Sequence, residues 1–208
     1  MKPVIELYPL WIRLWHWTNA LSFLVLLATG ISLHFATPGA MLIPFEIARM
    51  LHNVFGLVMT GGWVVFVIGN WWSGNGIHYR PQRTGLIGRL LVQIQFYGVG
   101  IFRHDPHPFP AAPQAKFNPL QQLTYLGVMF GAMPVLILSG WGFFWHEWIP
   151  ERFLEMDGLW VVGVIHYLVA LFLTAFLIGH LYLATAGETV FGEFKKMISG
   201  SRLTEEQP

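Results

Sequence analysis

The sequence predicts an all-α integral membrane protein, folded as a four-helix bundle. Of its 208 residues, 54% are hydrophobic and 11% are charged, about half the charged fraction of an average soluble domain. Apolar runs of about 20 residues or more are typical of transmembrane helices. Four such runs occur, at approximately residues 11–34, 45–72, 120–145 and 159–186. We therefore expect a single transmembrane domain over residues 1–208, with no separate soluble domain.

The distribution of positive charge predicts the orientation of these spans. Ten of the twelve Lys and Arg residues fall on the N-terminal tail, the second loop and the C-terminal tail: Lys2, Arg13, Arg80, Arg83, Arg89, Arg103, Lys116, Lys195, Lys196 and Arg202. Arg49 and Arg152 fall on the other side, beside acidic residues. Because cytoplasmic loops of membrane proteins are enriched in Lys and Arg, both termini and the second loop are expected in the cytoplasm.

Two features modify this simple pattern. Residues 84–102 of the second loop are amphipathic, but their apolar run is only about 13 residues long, so we expect a helix lying at the membrane interface and not a fifth span. Pro134 is expected to kink the third span. Every span contains glycine, which helix contacts explain in most cases. No internal repeat is apparent.

Two histidines in the fourth span point to a metal cofactor. His166 and His180 are fourteen residues apart in a run without any Asp, Glu, Lys or Arg. Fourteen residues make nearly four helical turns, so both rings leave the same face, about 21 Å apart along the axis. Histidines inside a membrane span are by default functional candidates. This spacing is the one expected of a helix that binds two stacked haems.

The topology supplies a partner for each of these histidines. His16, near the start of the first span, is expected at the cytoplasmic level with His180, and His52, early in the second span, at the outer level with His166. Each pair could provide the two axial nitrogens of a low-spin haem. The alternative is that the four histidines are hydrogen-bonded packing residues. Because the chain has no cysteine, covalently attached haem and Cys-bound iron–sulfur clusters are excluded.

Other histidines are weaker candidates. His34 faces the same way as His16 and rivals His52, but it stands at the very end of its span, so we favour His52. His146 is expected at a span rim. His78, His104 and His107 lie in the second loop, where the HDPHP stretch could form a metal clip but is better explained as a solvated Pro-rich loop.

Over its whole length the chain resembles the cytochrome b subunits of bacterial membrane-bound oxidoreductases: the formate dehydrogenase gamma, thiosulfate reductase cytochrome b and nickel–iron hydrogenase cytochrome b family. The resemblance rests on WHW around His16, on His52, on the thirteen-residue gap between His166 and His180, and on the stretches KFNPLQQLTYLGVMF and HLYLATAGETVFG. It implies two haem b groups, the four histidines as iron ligands, and a location in the bacterial cytoplasmic (inner) membrane.

The resemblance also implies a quinone site near the cytoplasmic haem. Asn118 and Gln121 match the Asn and Gln that head the third span in this family. Asn118 could instead cap the third span, a role that we expect of Asn118 alone and not of Gln121. Arg13 and Lys116 at the inner level and Arg49 at the outer level are candidates for pairing with haem propionates, or are ordinary interfacial anchors.

We therefore expect a dihaem b-type membrane anchor subunit. It would carry electrons between menaquinone or ubiquinone and an iron–sulfur or multihaem subunit, with a catalytic subunit, on the outer face. The acidic residues Glu147, Glu151, Glu155 and Asp157 could help that docking or be solvated loop charges. Lipid is the other expected partner, and nucleic acid is not. Alternatives are a self-standing b561-type carrier, a His-lined ion or metal transporter, and a structural anchor without haem.

Overall fold

The computed structural model describes residues 5–37, 41–112, 115–153, 155–185, 189–200 and 202–203. Lys2 and Ala186, the expected end of the last span, lie outside these residues. The chain divides into two compact units. We call Leu14–Val67 with Gly131–Ile178 the bundle unit, and Met1–Arg13, Ile68–Phe130 and Gly179–Pro208 the loop unit.

The described part of the chain is mainly helical. Its α-helices, in chain order, are α1 (Leu10–His34), α2 (Phe45–Trp72), α3 (Leu86–Gly98), α4 (Pro119–Gly127), α5 (Met133–Phe144), α6 (Gly158–Thr185) and α7 (Gly192–Ser199). Four helical segments are long and apolar enough to cross a membrane: α1, α2, the run Pro119–Phe144, and α6, with mean hydropathies from 1.3 to 2.5. The expected fold of four membrane helices is confirmed.

The third span contains an irregular turn where a kink was expected. A π-helical turn, Val128–Ala132, joins α4 to α5 just before Pro134. Proline lacks the N–H that would bond to the carbonyl of Phe130, and its ring would clash with that carbonyl in a regular helix. A wider turn accommodates both effects, so the irregularity has a local cause in the sequence.

The second loop folds against the head of the third span within the loop unit. A 3-10 helix (Asn75–Tyr79) precedes α3, which begins after Gly85, a residue with a φ of 61°. At 13 residues, α3 is about 20 Å long, too short to cross a bilayer. The side-chain amide of Gln122 in α4 donates to the carbonyl of His78, 3.0 Å away. The predicted loop helix is therefore present.

The two ends of the described chain pair with each other in the loop unit. Strand β1 (Ile5–Glu6) is antiparallel to β4 (Arg202–Leu203), and the backbone N–H of Tyr8 donates to the carbonyl of Gly200 at 3.2 Å. A second two-stranded sheet, β2 (Arg152–Phe153) with β3 (Met156–Asp157), forms the turn between α5 and α6 in the bundle unit.

Indole groups and hydroxyls connect the helices of the bundle unit. The Trp15 indole of α1 donates to the carbonyl of Gly62 in α2 at 2.7 Å, and the Trp141 indole of α5 donates to the hydroxyl of Thr60 in α2 at 3.1 Å. Several of the most deeply buried side chains in this unit are hydroxyls. Ser22 and Thr29 are each 1% exposed, and Ser139 is 8% exposed.

Candidate functional site

Two imidazoles from different helices lie close together inside the bundle unit. His52 comes from α2 and His166 from α6, and both side chains are partly buried. Their ring centroids are 6.3 Å apart, with an angle of 63° between the ring planes. Of the predicted pairs, this is the one that falls within a single unit, and the structure brings its two members together.

Each of these rings is bonded through Nδ1 to a buried hydroxyl of the preceding span. Thr29 Oγ1 of α1 lies 2.9 Å from His52 Nδ1, and Ser139 Oγ of α5 lies 2.9 Å from His166 Nδ1. A single hydroxyl of α1 or α5 thus orients the candidate ligand on the helix that follows. Neither Thr29 nor Ser139 stands out in the sequence as a candidate residue.

The backbone bonds of these hydroxyls favour one tautomer of each histidine. Thr29 donates to the carbonyl of Val25 at 2.7 Å, and Ser139 donates to the carbonyl of Val135 at 2.7 Å. A hydroxyl has one proton to donate, so an oxygen that donates to its backbone carbonyl accepts from the histidine Nδ1–H. In the neutral ring, Nε2 then holds the lone pair, as a metal ligand requires.

A glycine follows each hydroxyl and leaves space for the ring that it holds. A Cβ placed on Gly30 would lie 3.4 Å from Cε1 of His52, and a Cβ on Gly140 would lie 3.4 Å from Cε1 of His166. A Cβ at either position would already be in van der Waals contact with the imidazole. Each of the dipeptides Thr29–Gly30 and Ser139–Gly140 therefore provides a hydroxyl that contacts one imidazole and a glycine that leaves space beside it.

His34 and His146 occupy different surroundings. The exposed ring of His34 stacks on Tyr167, with centroids 4.5 Å apart and ring planes 15° apart. His146 is exposed and begins a 3-10 helix, His146–Trp148. The Asp157 carboxylate accepts the backbone N–H of Trp160 at 2.8 Å in the first turn of α6.

The second predicted pair, His16 and His180, falls on different units. His16 lies in α1, six residues after the helix begins, and contacts Trp17 edge-on at 5.3 Å. His180 lies in α6, five residues before the helix ends. Each is thus within two turns of a helix end, and their pairing stays a prediction.

The predicted quinone residues form a cap at the head of α4. Asn118 Oδ1 accepts the backbone N–H of Gln121 at 2.9 Å, and Gln121 Oε1 accepts the backbone N–H of Asn118 at 3.1 Å. This reciprocal pair is a capping box. The expectation that only Asn118 would take part in the cap is therefore wrong. The Asn118 amide also donates to the hydroxyl of Tyr97 at 2.9 Å.

The three predicted propionate partners have protein contacts. Arg13 donates to the carbonyl of Ile198 at 2.6 Å. Arg49 pairs with the exposed carboxylate of Glu46 at 2.7 Å. The Lys116 ammonium donates to Asn75 Oδ1 at 2.9 Å, and partial burial lowers its pKa.

The loop histidines also bond within the protein. Nδ1 of His107 accepts the N–H of Phe109 at 3.1 Å, and its ring packs on Phe96 with centroids 4.8 Å apart. His104 has a φ of 59°, in the left-handed region. Over the described residues, no cluster of three His, Asp or Glu side chains with metal-binding spacing occurs.

Four membrane helices with a pair of facing imidazoles are typical of one class, the membrane-bound b-type cytochromes. The family model for prokaryotic cytochrome b561 matches residues 7–200. The chain is also 41% identical over 196 residues to the protein named "Putative cytochrome YdhU" of Escherichia coli (strain K12), an alignment that covers 94% of this chain and 74% of that protein. The chain therefore belongs to the prokaryotic cytochrome b561 family, and the predicted resemblance is confirmed. It is a multi-pass bacterial membrane protein of an electron-carrier family.

Haem b is the cofactor that this family implies, and the His52/His166 pair fits it. With Nδ1 of each ring bonded to a hydroxyl, Nε2 is the nitrogen that would bind the haem iron. If each metal–nitrogen bond is about 2 Å and each nitrogen is ~1 Å from its ring centroid, two rings on one iron have centroids about 6 Å apart. The observed separation of 6.3 Å agrees with that value.

Proposed function

We propose that this chain carries two b haems and conducts electrons between membrane quinone on the cytoplasmic side and a redox partner on the outer side. The observation that carries the proposal is the His52/His166 pair, whose rings are held at 6.3 Å with both Nε2 atoms available. A transporter or a structural anchor would not need two neutral imidazoles held with matched tautomers at that separation.

His16 and His180 are proposed to hold the second haem. His180 lies fourteen residues after His166 in the continuous helix α6, so its ring leaves the same face about 21 Å further along the axis. A haem at each end of this interval would form an electron path across the apolar part of the bilayer. When bound, the haems supply the one-electron redox change.

The protein's own contribution is to orient the ligands and to exclude water. Thr29 and Ser139 hold the two outer imidazoles, and Gly30 and Gly140 leave room beside them. The surrounding helices carry few charges, so ions and water are kept from the iron ligands. Arg13 and Lys116 at the inner level, and Arg49 at the outer level, would exchange their present partners for haem propionates.

The proposed orientation places both termini and the second loop in the cytoplasm. The ten-to-two distribution of Lys and Arg supports it. The pairing of β1 with β4 supports the part of it that concerns the termini, because chain ends that share a sheet lie on the same side of a membrane.

We place the quinone, menaquinone or ubiquinone, at the head of α4. Asn118 and Gln121 use their carbonyl oxygens in the cap, but Gln121 Nε2 finds no partner among the described residues and retains its two donors. Gln93 of α3 is 0% exposed, and neither atom of its amide has a described hydrogen-bond partner. It lies one turn before Tyr97, which contacts Asn118. Gln93 and Gln121 thus offer amide N–H groups without a described hydrogen-bond partner, near the proposed cytoplasmic side of the membrane.

The outer partner is proposed to be an iron–sulfur or multihaem subunit that links the cytochrome to a catalytic subunit. The turn between α5 and α6 offers exposed carboxylates for docking, among them Glu147 and Glu151. A self-standing b561-type carrier is the second candidate, since the family description fits it equally well. Purification in mild detergent distinguishes the two candidate functions. A membrane anchor subunit is recovered together with stoichiometric partner subunits, and a self-standing carrier is recovered alone.

Anaerobic addition of a quinol to the purified protein tests the proposal. The α-band of reduced haem b should appear within the mixing time or over seconds, and excess quinone should reverse it. A His180→Ala variant should lose this rapid appearance of the α-band, because the inner haem is the proposed entry point for electrons from the quinol. Haems that dithionite reduces but quinol does not would contradict the quinone role.

A further inference from the structure

We propose that Thr29 and Ser139 are positioning residues that set the reduction potential of the outer haem. The inference rests on the proposed function, since it requires His52 and His166 to be the iron ligands. Each hydroxyl accepts a hydrogen bond from the Nδ1–H of one ligand, at the same distance of 2.9 Å. Each of the two proposed iron ligands thus has one hydroxyl bonded to its Nδ1 atom.

A hydrogen bond at Nδ1 changes how strongly the ring donates electrons to iron. When Nδ1–H donates, the imidazole gains negative character and becomes a more basic ligand. A more basic ligand stabilises the ferric state more than the ferrous state, so the reduction potential falls. Both contacts act in the same direction on one iron.

The backbone contacts of the two hydroxyls increase the lowering of the reduction potential. The absence of charge on the hydroxyl oxygens limits it. Thr29 donates to Val25 O and Ser139 to Val135 O, each at 2.7 Å. Donation to a carbonyl polarises the hydroxyl and makes its oxygen a better acceptor. The oxygen stays neutral, however, so it pulls on the proton less than a carboxylate would. The chain therefore tunes the outer haem moderately and adds no charge within the membrane.

The geometry also fixes the direction of each ring. Both hydroxyls are at most 8% exposed, and their side chains are held by the backbone of their own helix. A Cβ on Gly30 or Gly140 would lie 3.4 Å from Cε1 of the same two rings, so the glycines leave space on that side of each imidazole. Loss of the hydroxyl therefore removes the polar contact that orients the ring.

The test uses variants that remove the oxygen but keep the shape. Thr29→Val and Ser139→Ala delete the hydroxyl, while Thr29→Ser and Ser139→Thr retain it. Ser22→Ala is the matched control, because Ser22 is equally buried in α1 and donates to the carbonyl of Thr18 at 2.8 Å, with no histidine attached. Haem content, potentiometric titration and the low-spin electron paramagnetic resonance spectrum are measured for each.

We expect Thr29→Val and Ser139→Ala each to shift the reduction potential of the outer haem to a more positive value. Each should also change the g-values of that haem in the electron paramagnetic resonance spectrum, with the inner haem unchanged. The hydroxyl-retaining variants and Ser22→Ala should match the wild type. An outer-haem potential that is unaltered, or that moves equally in Ser22→Ala, would overturn the inference. If one variant fails to load haem, the other decides. The proposed function fails separately, if the outer haem is retained when His52 or His166 is replaced by alanine.

Discussion

The two halves of the bundle unit reach the same ligand geometry from dissimilar sequences. In α1 and α2, Thr29 holds His52 across 23 residues, and in α5 and α6, Ser139 holds His166 across 27 residues. The hydroxyl–imidazole distance is 2.9 Å in both, and a Cβ added to the glycine after the hydroxyl would lie 3.4 Å from the ring in both. The correspondence lies in a hydroxyl–glycine pair and a histidine, with no wider repeat.

The halves differ in how their helices are joined. In the first, Ser32 Oγ donates to the carbonyl of Ile43 and accepts its N–H, both at 3.0 Å. In the second, the β2–β3 hairpin makes the turn, and Phe143 meets His166 edge-on at 5.8 Å. Different connections therefore support one shared site, which implies that the geometry at the imidazoles is the functional requirement.

Removing either outer ligand should have the largest effect on haem content. The effect should be the same in the two halves of the bundle unit. His52→Ala and His166→Ala leave one axial position without its nitrogen, so each should reduce the haem content from about two to about one per chain. Optical redox titration should then show the inner component alone. Loss of haem in only one of the two variants would break the equivalence of the halves.

Replacing an inner ligand should spare the matched pair. His16→Ala and His180→Ala should each remove the inner haem and leave the outer one with its potential unchanged, because the Thr29 and Ser139 contacts are with His52 and His166. Loss of both haems from His16→Ala would mean that the two sites do not assemble independently. His180→Ala serves as the paired check on that outcome.

A smaller effect is expected at the head of α4, where we propose that the quinone binds. Gln121→Leu would remove a cap contact worth about 1 kcal/mol as well as the amide donors, so it cannot separate the two roles. Gln121→Glu keeps a side-chain oxygen that accepts the Asn118 N–H, and it removes the amide donors. Its quinol-driven haem reduction should slow severalfold with the haem spectrum and thermal midpoint preserved. Unchanged kinetics would assign Gln121 to the cap alone.

The smallest effect is expected at His34. His34→Ala should lose the stack on Tyr167 but keep both haems with unaltered potentials, since the ring lies outside the hydroxyl–imidazole pairs. Absorbance per chain measures this directly. If His34→Ala lost a haem while His52→Ala kept both, the ligand choice in the first half would be wrong.

The sequence predicted the larger features of the fold because they follow from composition. Long apolar runs identified the four spans, and Pro134 marked the irregular turn. The positions of the histidines also suggested the pairs from helical spacing. Thr29 and Ser139 could not be found this way, because a hydroxyl in an apolar helix usually bonds to its own backbone. Only the three-dimensional fold shows that each one also contacts an imidazole.

The cap at Asn118 illustrates a different limit. Asn before Pro119 is a recognisable helix start, but the reciprocal contact of Gln121 depends on its rotamer. The burial of Gln93 was likewise missed, because an amide in an amphipathic loop helix is expected to face water. Both cases involve side chains whose surroundings come from distant parts of the chain.

Haem stoichiometry tests the central claim most directly. A pyridine haemochrome assay on the purified wild-type chain, referred to protein concentration by amino-acid analysis, should give about two non-covalent b haems per chain. All of this haem should be extractable with acidic acetone, because there is no cysteine for attachment. One haem per chain would contradict the two-site account, and none would contradict the assignment of these histidines as iron ligands.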